Sequence, residues 1–369
     1  MDEAVGTRWS GQTLTFSHHD PERLLAGVRL VAHVVLPGDR RAFSYDEGDR
    51  AWRLSVTLDA WRLEYRLELR HASGDIAVVC DPENPRRVGS AFGDWSVAER
   101  ADYVEPAWLR LPGAEGSWRE LTIPTPTLNA DVWARIWSPA GAGGHVLVAH
   151  DGPEYDKMAD LGQYSAAMVG SARLPPHHLV LLAPGARNEW YSANPAYAHA
   201  LAREVLPRLR AELGTTRPAV GMGTSLGGLA MLHAQRRYPN VFAGLFLQSG
   251  SYFRPRLDPQ ESKFPWFQRI VRFAGRLVGA AGISGRTAAV PITMTCGRVE
   301  ENLGNNREMA LALRRLGYPA ELFEVPDAHN FTGWRDAFDP YLTDLLRRVW
   351  TPVQDRGDHE LKVAKWRRS

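Results

Sequence analysis

The sequence predicts a mostly parallel, doubly wound α/β sheet preceded by a small antiparallel β-sandwich. Three observations carry the prediction. Residues 14 to about 80 hold short strands separated by turn clusters, with no helical period of useful length. From about residue 130 onward, apolar runs alternate with segments of helical spacing. Among the latter, AVGMGTSLGGLAMLHAQRRYP (219–239) places a strand, a glycine-rich turn and a helix in direct succession.

The N-terminal strands are LTFS, GVRLVAHVVL, AWRLSVTL, LEYRLELRH and DIAVVC. Alternation is clear at Trp52, Leu54, Val56 and Leu58, and again at Tyr65, Leu67 and Leu69. Asp81-Pro82-Glu83-Asn84-Pro85 closes this block, and residues 86–118 read as a partly ordered linker. RELTIPTPTLNADVWARIWSP reads as a hairpin turning at Asn129, Ala130 and Asp131. Strands then fall at HVLVAHD, HHLVLLAPG, AVGMG, AGLFLQSG, VPITMTCG and AELFEVP. Helices fall at DLGQYSAAMVGSARLP, PAYAHALAREVLPRLRAEL, the stretch after the turn, NNREMALALRRLGY and GWRDAFDPYLTDLLRRVW. The expected division is 1–112 for the sandwich with its linker, 113–350 for the α/β domain and 351–369 for a polar, basic tail. An insertion at 251–288 carries an apolar stripe (Phe267, Ile270, Val271, Ala274, Leu277, Val278) opposite Arg269, Arg272 and Arg276, and reads as a lid or wall over a pocket.

A chain of 369 residues exceeds what one core usually organises, so two domains are the prior. The formal net charge of +2 gives no reason to expect a nucleic-acid partner. Cys80 and Cys296 fall in different predicted domains, and no pattern supports a bridge. No signal peptide and no membrane span is visible, and a reduced cytoplasmic setting is expected. Neither C-x-x-C, H-E-x-x-H nor a Walker motif occurs, so no metal or cofactor is expected. His177 and His178 read as ordinary surface residues.

Gly223-Thr224-Ser225-Leu226-Gly227 fits G-x-S-x-G in the strand–turn–helix context of a nucleophile elbow. Such a turn projects the serine hydroxyl above the sheet, and the glycines permit the close approach of strand and helix. The plainer alternative is a serine that only caps the helix. A serine needs a base, and the base an orienting acid. His233 lies inside the helix and His359 in the tail, whereas His329 sits in a loop after the last strand. His329 is therefore the expected base. In the loop after ITMTCG, Glu300 is the expected acid, with Glu301 and Asp327 as alternatives. The Leu226 amide at the helix N-terminus is one oxyanion donor. The second belongs to HDGPEY (150–155), and because Pro153 has no N–H it is Gly152, Glu154 or a neighbour. Asp151, Tyr155, Glu301, Arg254 and Trp266 are the expected substrate contacts, with Arg256 and Arg269 as further cations for an anionic substrate.

GTSLGG (223–228), CGRVEENLGNNREMALALRRLGY (296–318) and VPDAHNFTGWRDAF (325–338) resemble the enterochelin (ferric enterobactin) esterase-like branch of the esterase D group of α/β-hydrolases. HDGPEY and PGARNEWYSANPAY (184–197) support the resemblance. It implies an immunoglobulin-like early-set sandwich before the hydrolase domain. It also implies Ser225 as nucleophile, His329 as base, a carboxylate near Glu300, and ester hydrolysis without metal. The expected activity is hydrolysis of a siderophore-like or other bulky ester. A mycolyltransferase-type acyl transfer to a sugar or alcohol, and a non-catalytic glycan-binding protein, are the competing expectations. The oligomeric state is left open.

Overall fold

The structure, a computed structural model, describes residues 6–36, 40–89, 93–280 and 289–351. The expected basic tail from 352 onward and the end of the insertion (281–288) lie outside them. Two compact units emerge. One comprises Met1–Glu105, Cys296–Gly304 and Glu324–Trp334; the other comprises Pro106–Thr295, Asn305–Phe323 and Arg335–Ser369.

The smaller unit is built on two antiparallel sheets. Arg8–Ser10, Thr13–His19, Ala51–Thr57 and Ser44–Asp46 form one, in that spatial order. The other runs Leu25–Val31, Arg62–His71, Trp95–Glu99, Arg87–Val88, with Ile76–Val79 also on Arg62–His71. The alternation read from the sequence is the inward face. Trp52, Leu54, Val56, Leu58, Tyr65 and Leu67 are buried with Leu14, Phe16, Val28 and Leu30. Val299 and Ala328, far along the chain, join the same core.

Within the expected linker, Arg87–Val88 and Trp95–Glu99 are sheet. Leu63 pairs with Ala98, and Tyr65 with Ser96. The sequence hid this strand because Ser96 is a buried polar residue in an inward run, its Oγ accepting from the Asp81 amide at 2.8 Å.

The larger unit holds an eight-stranded sheet. Its strands are β1 (Gly116–Thr125), β2 (Ala130–Pro139), β3 (Val146–Ala149), β4 (His178–Leu182), β5 (Ala219–Thr224), β6 (Phe242–Gln248), β7 (Ile292–Gly297) and β8 (Ala320–Val325). The spatial order is β1-β2-β4-β3-β5-β6-β7-β8. β1 and β2 form an antiparallel hairpin, and β2 is antiparallel to β4. β4, β3, β5, β6 and β7 run parallel, each joined to the next. The sheet is therefore mixed, with the parallel strands central. Apart from Ala243 in β6 every residue of these strands is buried, as expected of strands covered by helices on both faces. β7 and β8 carry the chain across the boundary: their last residues, and the loops that follow, belong to the smaller unit.

Two helices expected to be continuous are interrupted at proline. Pro195–Ala200 continues as a π turn, Leu201–Val205, before Leu206–Glu212, because Pro207 offers no N–H to the preceding turn. The last helix breaks at Asp339, whose φ of −116° and ψ of 117° are extended, as expected before Pro340. It resumes as Thr343–Trp350. Among the described residues no helix is long and apolar enough to cross a membrane.

Leu63 is fully buried in the sandwich core. Leu63→Ala is expected to lower the unfolding free energy by ~2–5 kcal/mol, read from the denaturant midpoint of the full chain.

Candidate active site

Every residue of β5 is buried, and the chain turns at its end without a loop. Ser225 adopts φ 53° and ψ −123°, a left-handed conformation that a non-glycine residue takes only when its surroundings impose it. Its amide donates to Gln248 O of β6 at 2.9 Å, and its carbonyl accepts from Ser251 N at 3.1 Å. The helix Leu226–Arg237 begins at the next residue. A Cβ on Gly223 would lie 2.6 Å from the Gly227 carbonyl carbon, so strand and helix touch backbone to backbone. Ser225 is half-buried, and its Oγ lies 3.0 Å from Ser251 Oγ. Its side chain makes no bond to the helix start, so the purely capping reading of Ser225 has no support in the geometry.

β3, the parallel neighbour of β5, ends in His150 and Asp151, beside the elbow helix. A Cβ on Gly227 would meet His150 Cβ at 3.1 Å and an Asp151 carboxylate oxygen at 3.2 Å. The ring of His150 is fully buried. Nδ1 lies 3.0 Å from Gly227 O, Nε2 lies 2.8 Å from Tyr197 Oη, and the ring stacks on Tyr191 with centroids 4.4 Å apart. Asp151 has φ 50° and precedes the helix Gly152–Ala159. Arg187 grips its carboxylate with a two-pronged bond, Nε to Oδ1 at 2.7 Å and Nη2 to Oδ2 at 2.8 Å. Gly152 admits no side chain, since a Cβ there would lie 2.4 Å from Leu181 Cα. The backbone that could offer a second oxyanion donor is thus held in place by an ion pair, a buried histidine and one glycine. Pro153 occupies the first turn, where a missing N–H costs nothing.

His329 and Glu300 both belong to the smaller unit. His329 Nδ1 lies 2.7 Å from Glu300 Oε2. A carboxylate only accepts, so Nδ1 carries the proton and Nε2 is left as the basic nitrogen. The other Glu300 oxygen accepts the Gly297 amide, and the side chain is buried. Of the two alternative acids, Glu301 is exposed and Asp327 is buried in an ion pair with Arg62. The His329 ring stands edge-on to Trp334, with centroids 4.9 Å apart.

The remaining expected residues are placed as follows. Leu226 is buried at the first helical position. Glu154 lies in the first turn after Asp151. Tyr155 is fully buried with its hydroxyl on Gln248 Oε1 at 2.8 Å, so it supports the sheet rather than facing a ligand. Arg254 lies 3.4 Å from Glu308, which Arg256 also meets. Trp266 is half-buried beneath the Arg269 guanidinium, 4.3 Å from its ring centre, and Arg269 also donates to the Ser192 and Glu189 carbonyls. In the insertion helix Phe267–Val278, the residues Phe267, Ile270, Ala274 and Leu277 pack into the core of the larger unit. His177, expected at the surface, is fully buried against Trp137 and Trp350. Sequence reasoning missed Ser251, Arg187, His150 and Arg62. Each works through a partner distant in sequence; HDGPEY contains His150 and PGARNEWY contains Arg187, but the sequence gives neither residue a role.

Among the described residues no cluster of three or more His, Cys, Asp or Glu could hold a metal ion.

Burial lowers the pKa of His150, His177 and His233 from the ordinary 6.5 to about 4. These rings are neutral in the folded protein between those values, whereas the unfolded chain binds protons there. Their contribution to stability is complete above about pH 6.5 and declines as pH falls toward about 4. Denaturant midpoints should fall across that window, and His177→Gln should make the decline shallower. Gly223→Ala should cost ~1–3 kcal/mol or more by forcing backbone apart, visible as a lower melting temperature.

Residues 126–345 match the Esterase family (Putative esterase). No curated protein matches the chain significantly. Enterobactin esterase from Shigella flexneri, solved in the presence of 2,3-di-hydroxy-N-benzoyl-glycine, superposes with a TM-score of 0.70 at 18% identity, over 95% of this chain and 98% of that one. Ferric enterobactin esterase from Salmonella typhimurium gives 0.69 at 20% identity, over 94% and 97%. A ferulic acid esterase gives 0.54 at 17% identity, over 63% of this chain and 99% of its own. The strand order and the elbow are thus those of an α/β-hydrolase, and by its match over 126–345 the chain belongs to the Esterase family of carboxylic ester hydrolases.

Proposed function

We propose that the chain is a serine esterase working through an acyl-enzyme on Ser225. His329 Nε2 takes the proton as Ser225 Oγ attacks the ester carbonyl. Glu300 holds the ring by Nδ1 and stabilises the imidazolium that forms. The Leu226 amide and one from the 152–154 segment take the oxyanion, and losing one such donor typically costs ~2.7–4 kcal/mol of transition-state stabilisation. The imidazolium then protonates the leaving alcohol, and water repeats the sequence to free the acid. The observation that carries this reading is the 2.7 Å contact of His329 Nδ1 with Glu300 Oε2, which prepares Nε2 as a base. The left-handed Ser225 at the end of β5 supports it from the other side.

For substrate, we propose an iron-siderophore-like lactone or another bulky ester. The support is the extent of the match. The enterobactin esterases share fold over 94–95% of this chain, the ferulic acid esterase over 63%. We further propose that the N-terminal sandwich is an immunoglobulin-like early-set domain, on the basis of its two antiparallel sheets.

Ser225→Ala and His329→Ala should each lower kcat on an activated ester by ~10⁴-fold or more, and Glu300→Gln by less. A fluorophosphonate probe should label the wild type stoichiometrically at Ser225. Full turnover by Ser225→Ala would end the proposal. On a panel of iron-siderophore lactones and aromatic acyl esters, the lactones should show the higher kcat/KM. Free acid should be the sole product when sugars or alcohols are offered as acceptors.

A further inference from the structure

The loop that bears His329 is held by a charge buried inside the sandwich. Arg62 opens the strand Arg62–His71 and is fully buried. Its guanidinium lies over the Tyr103 ring, 4.6 Å from the centroid. Both Nε (2.9 Å) and Nη2 (2.6 Å) donate to one oxygen of Asp327, Oδ2. That leaves Oδ1 to organise the loop, and it accepts from the Ala328 amide at 2.8 Å and from Asn330 Nδ2 at 3.1 Å. Those are the two residues that flank His329. Asn330 Oδ1 in turn accepts the Gly333 amide at 2.6 Å, which starts the following helix.

Further ties surround this one. The Trp61 amide donates to Pro326 O at 2.8 Å, and Thr332 Oγ1 donates to Glu64 Oε1 at 3.1 Å. The Val35 amide donates to Val299 O at 2.8 Å, next to Glu300. A Cβ on Gly297 would lie 2.2 Å from Asp327 O, so the acid's loop and the base's loop are packed backbone on backbone. A buried ion pair is weak evidence for stability, because two charges must be desolvated to form it. What it supplies here is geometry: a rigid fork on one carboxylate oxygen leaves the other oxygen a fixed acceptor.

We propose that Arg62 is a positioning residue for catalysis: through Asp327 it fixes the Ala328 backbone on one side of His329 and the Asn330 side chain on the other, so the sandwich supplies part of the catalytic apparatus. This rests on the reading of His329 as the base. The test uses the full chain and a soluble activated ester, with active sites counted by fluorophosphonate titration so that kcat is per competent serine. Arg62→Gln should lower kcat at least about tenfold with KM within about twofold, since small misplacements of a catalytic group cost up to ~10²-fold. Arg62→Lys, which keeps the charge and loses the fork, should fall between the two. Asp327→Asn combined with Arg62→Gln should be no worse than either alone, as expected of one unit. Val56→Ala, a cavity in the same sandwich core, should lower the melting temperature and leave kcat per site unchanged. If Arg62→Gln does not fold, Arg62→Lys is scored alone, and a threefold or larger loss of kcat at unchanged KM is then the expected result. An unchanged kcat per site in the folded Arg62 variant, or an equal loss in Val56→Ala, would overturn the proposal. His329→Ala runs alongside: if it keeps wild-type turnover, the base assignment has failed and not the role of Arg62.

Discussion

The larger unit is arranged around a turn that leaves no room for a side chain. Gly223 and Gly227 bring strand and helix to within backbone contact, and the residue between them is forced into a left-handed conformation. Such a conformation costs of the order of 1–3 kcal/mol for a residue with a Cβ, so neighbours must hold it. They do so from two directions. Gln248 of the adjacent strand and Ser251 of the next loop take the two backbone polar groups of Ser225. His150 and Asp151, at the end of the other neighbouring strand, press against Gly227. The parallel order of β3, β5 and β6 is what delivers all three strand ends to the same edge.

The smaller unit has a different physical task. Its sandwich core accepts Val299 and Ala328, the neighbours in sequence of Glu300 and His329. The loops after β7 and β8 are too short to form a core of their own. They are ordered by borrowing one: apolar contacts from the sandwich, its backbone amides, and the fork of Arg62 on Asp327.

The insertion expected to be a lid or wall is described as far as residue 280, and its apolar stripe is packed inward. Its period is that of a surface helix, and a lid needs such a face. In the structure that face is spent in the core of the larger unit, and Arg269 ties the opposite side to two carbonyls and a tryptophan. Arg254 and Arg256 meet Glu308. As described, the helix is packed against the core on one side, and Arg269, Arg254 and Arg256 are engaged within the protein.

Much of the architecture was legible because it rests on local chemistry. Period-two alternation at Trp52 to Leu58 marked an inward strand face, G-x-S-x-G marked the strand–helix turn, and the position of His329 after the last strand marked a candidate base. Where a buried polar residue replaced an apolar one, as Ser96 does, the pattern failed and a strand was read as linker. Proline inside helical spacing was discounted, and the helices broke there. Glu300 is the expected acid, and the structure sets it 2.7 Å from His329 while Glu301 is exposed and Asp327 is paired with Arg62. Composition and short-range pattern therefore determined the fold class, the strained turn at Ser225 and the candidate base. Tertiary structure decided which carboxylate meets His329, how Arg187 and Arg62 are used, and that the last two loops belong with the sandwich. Those outcomes depend on contacts between residues tens to hundreds of positions apart, and a desolvated charge finds its partner by burial rather than by sequence distance.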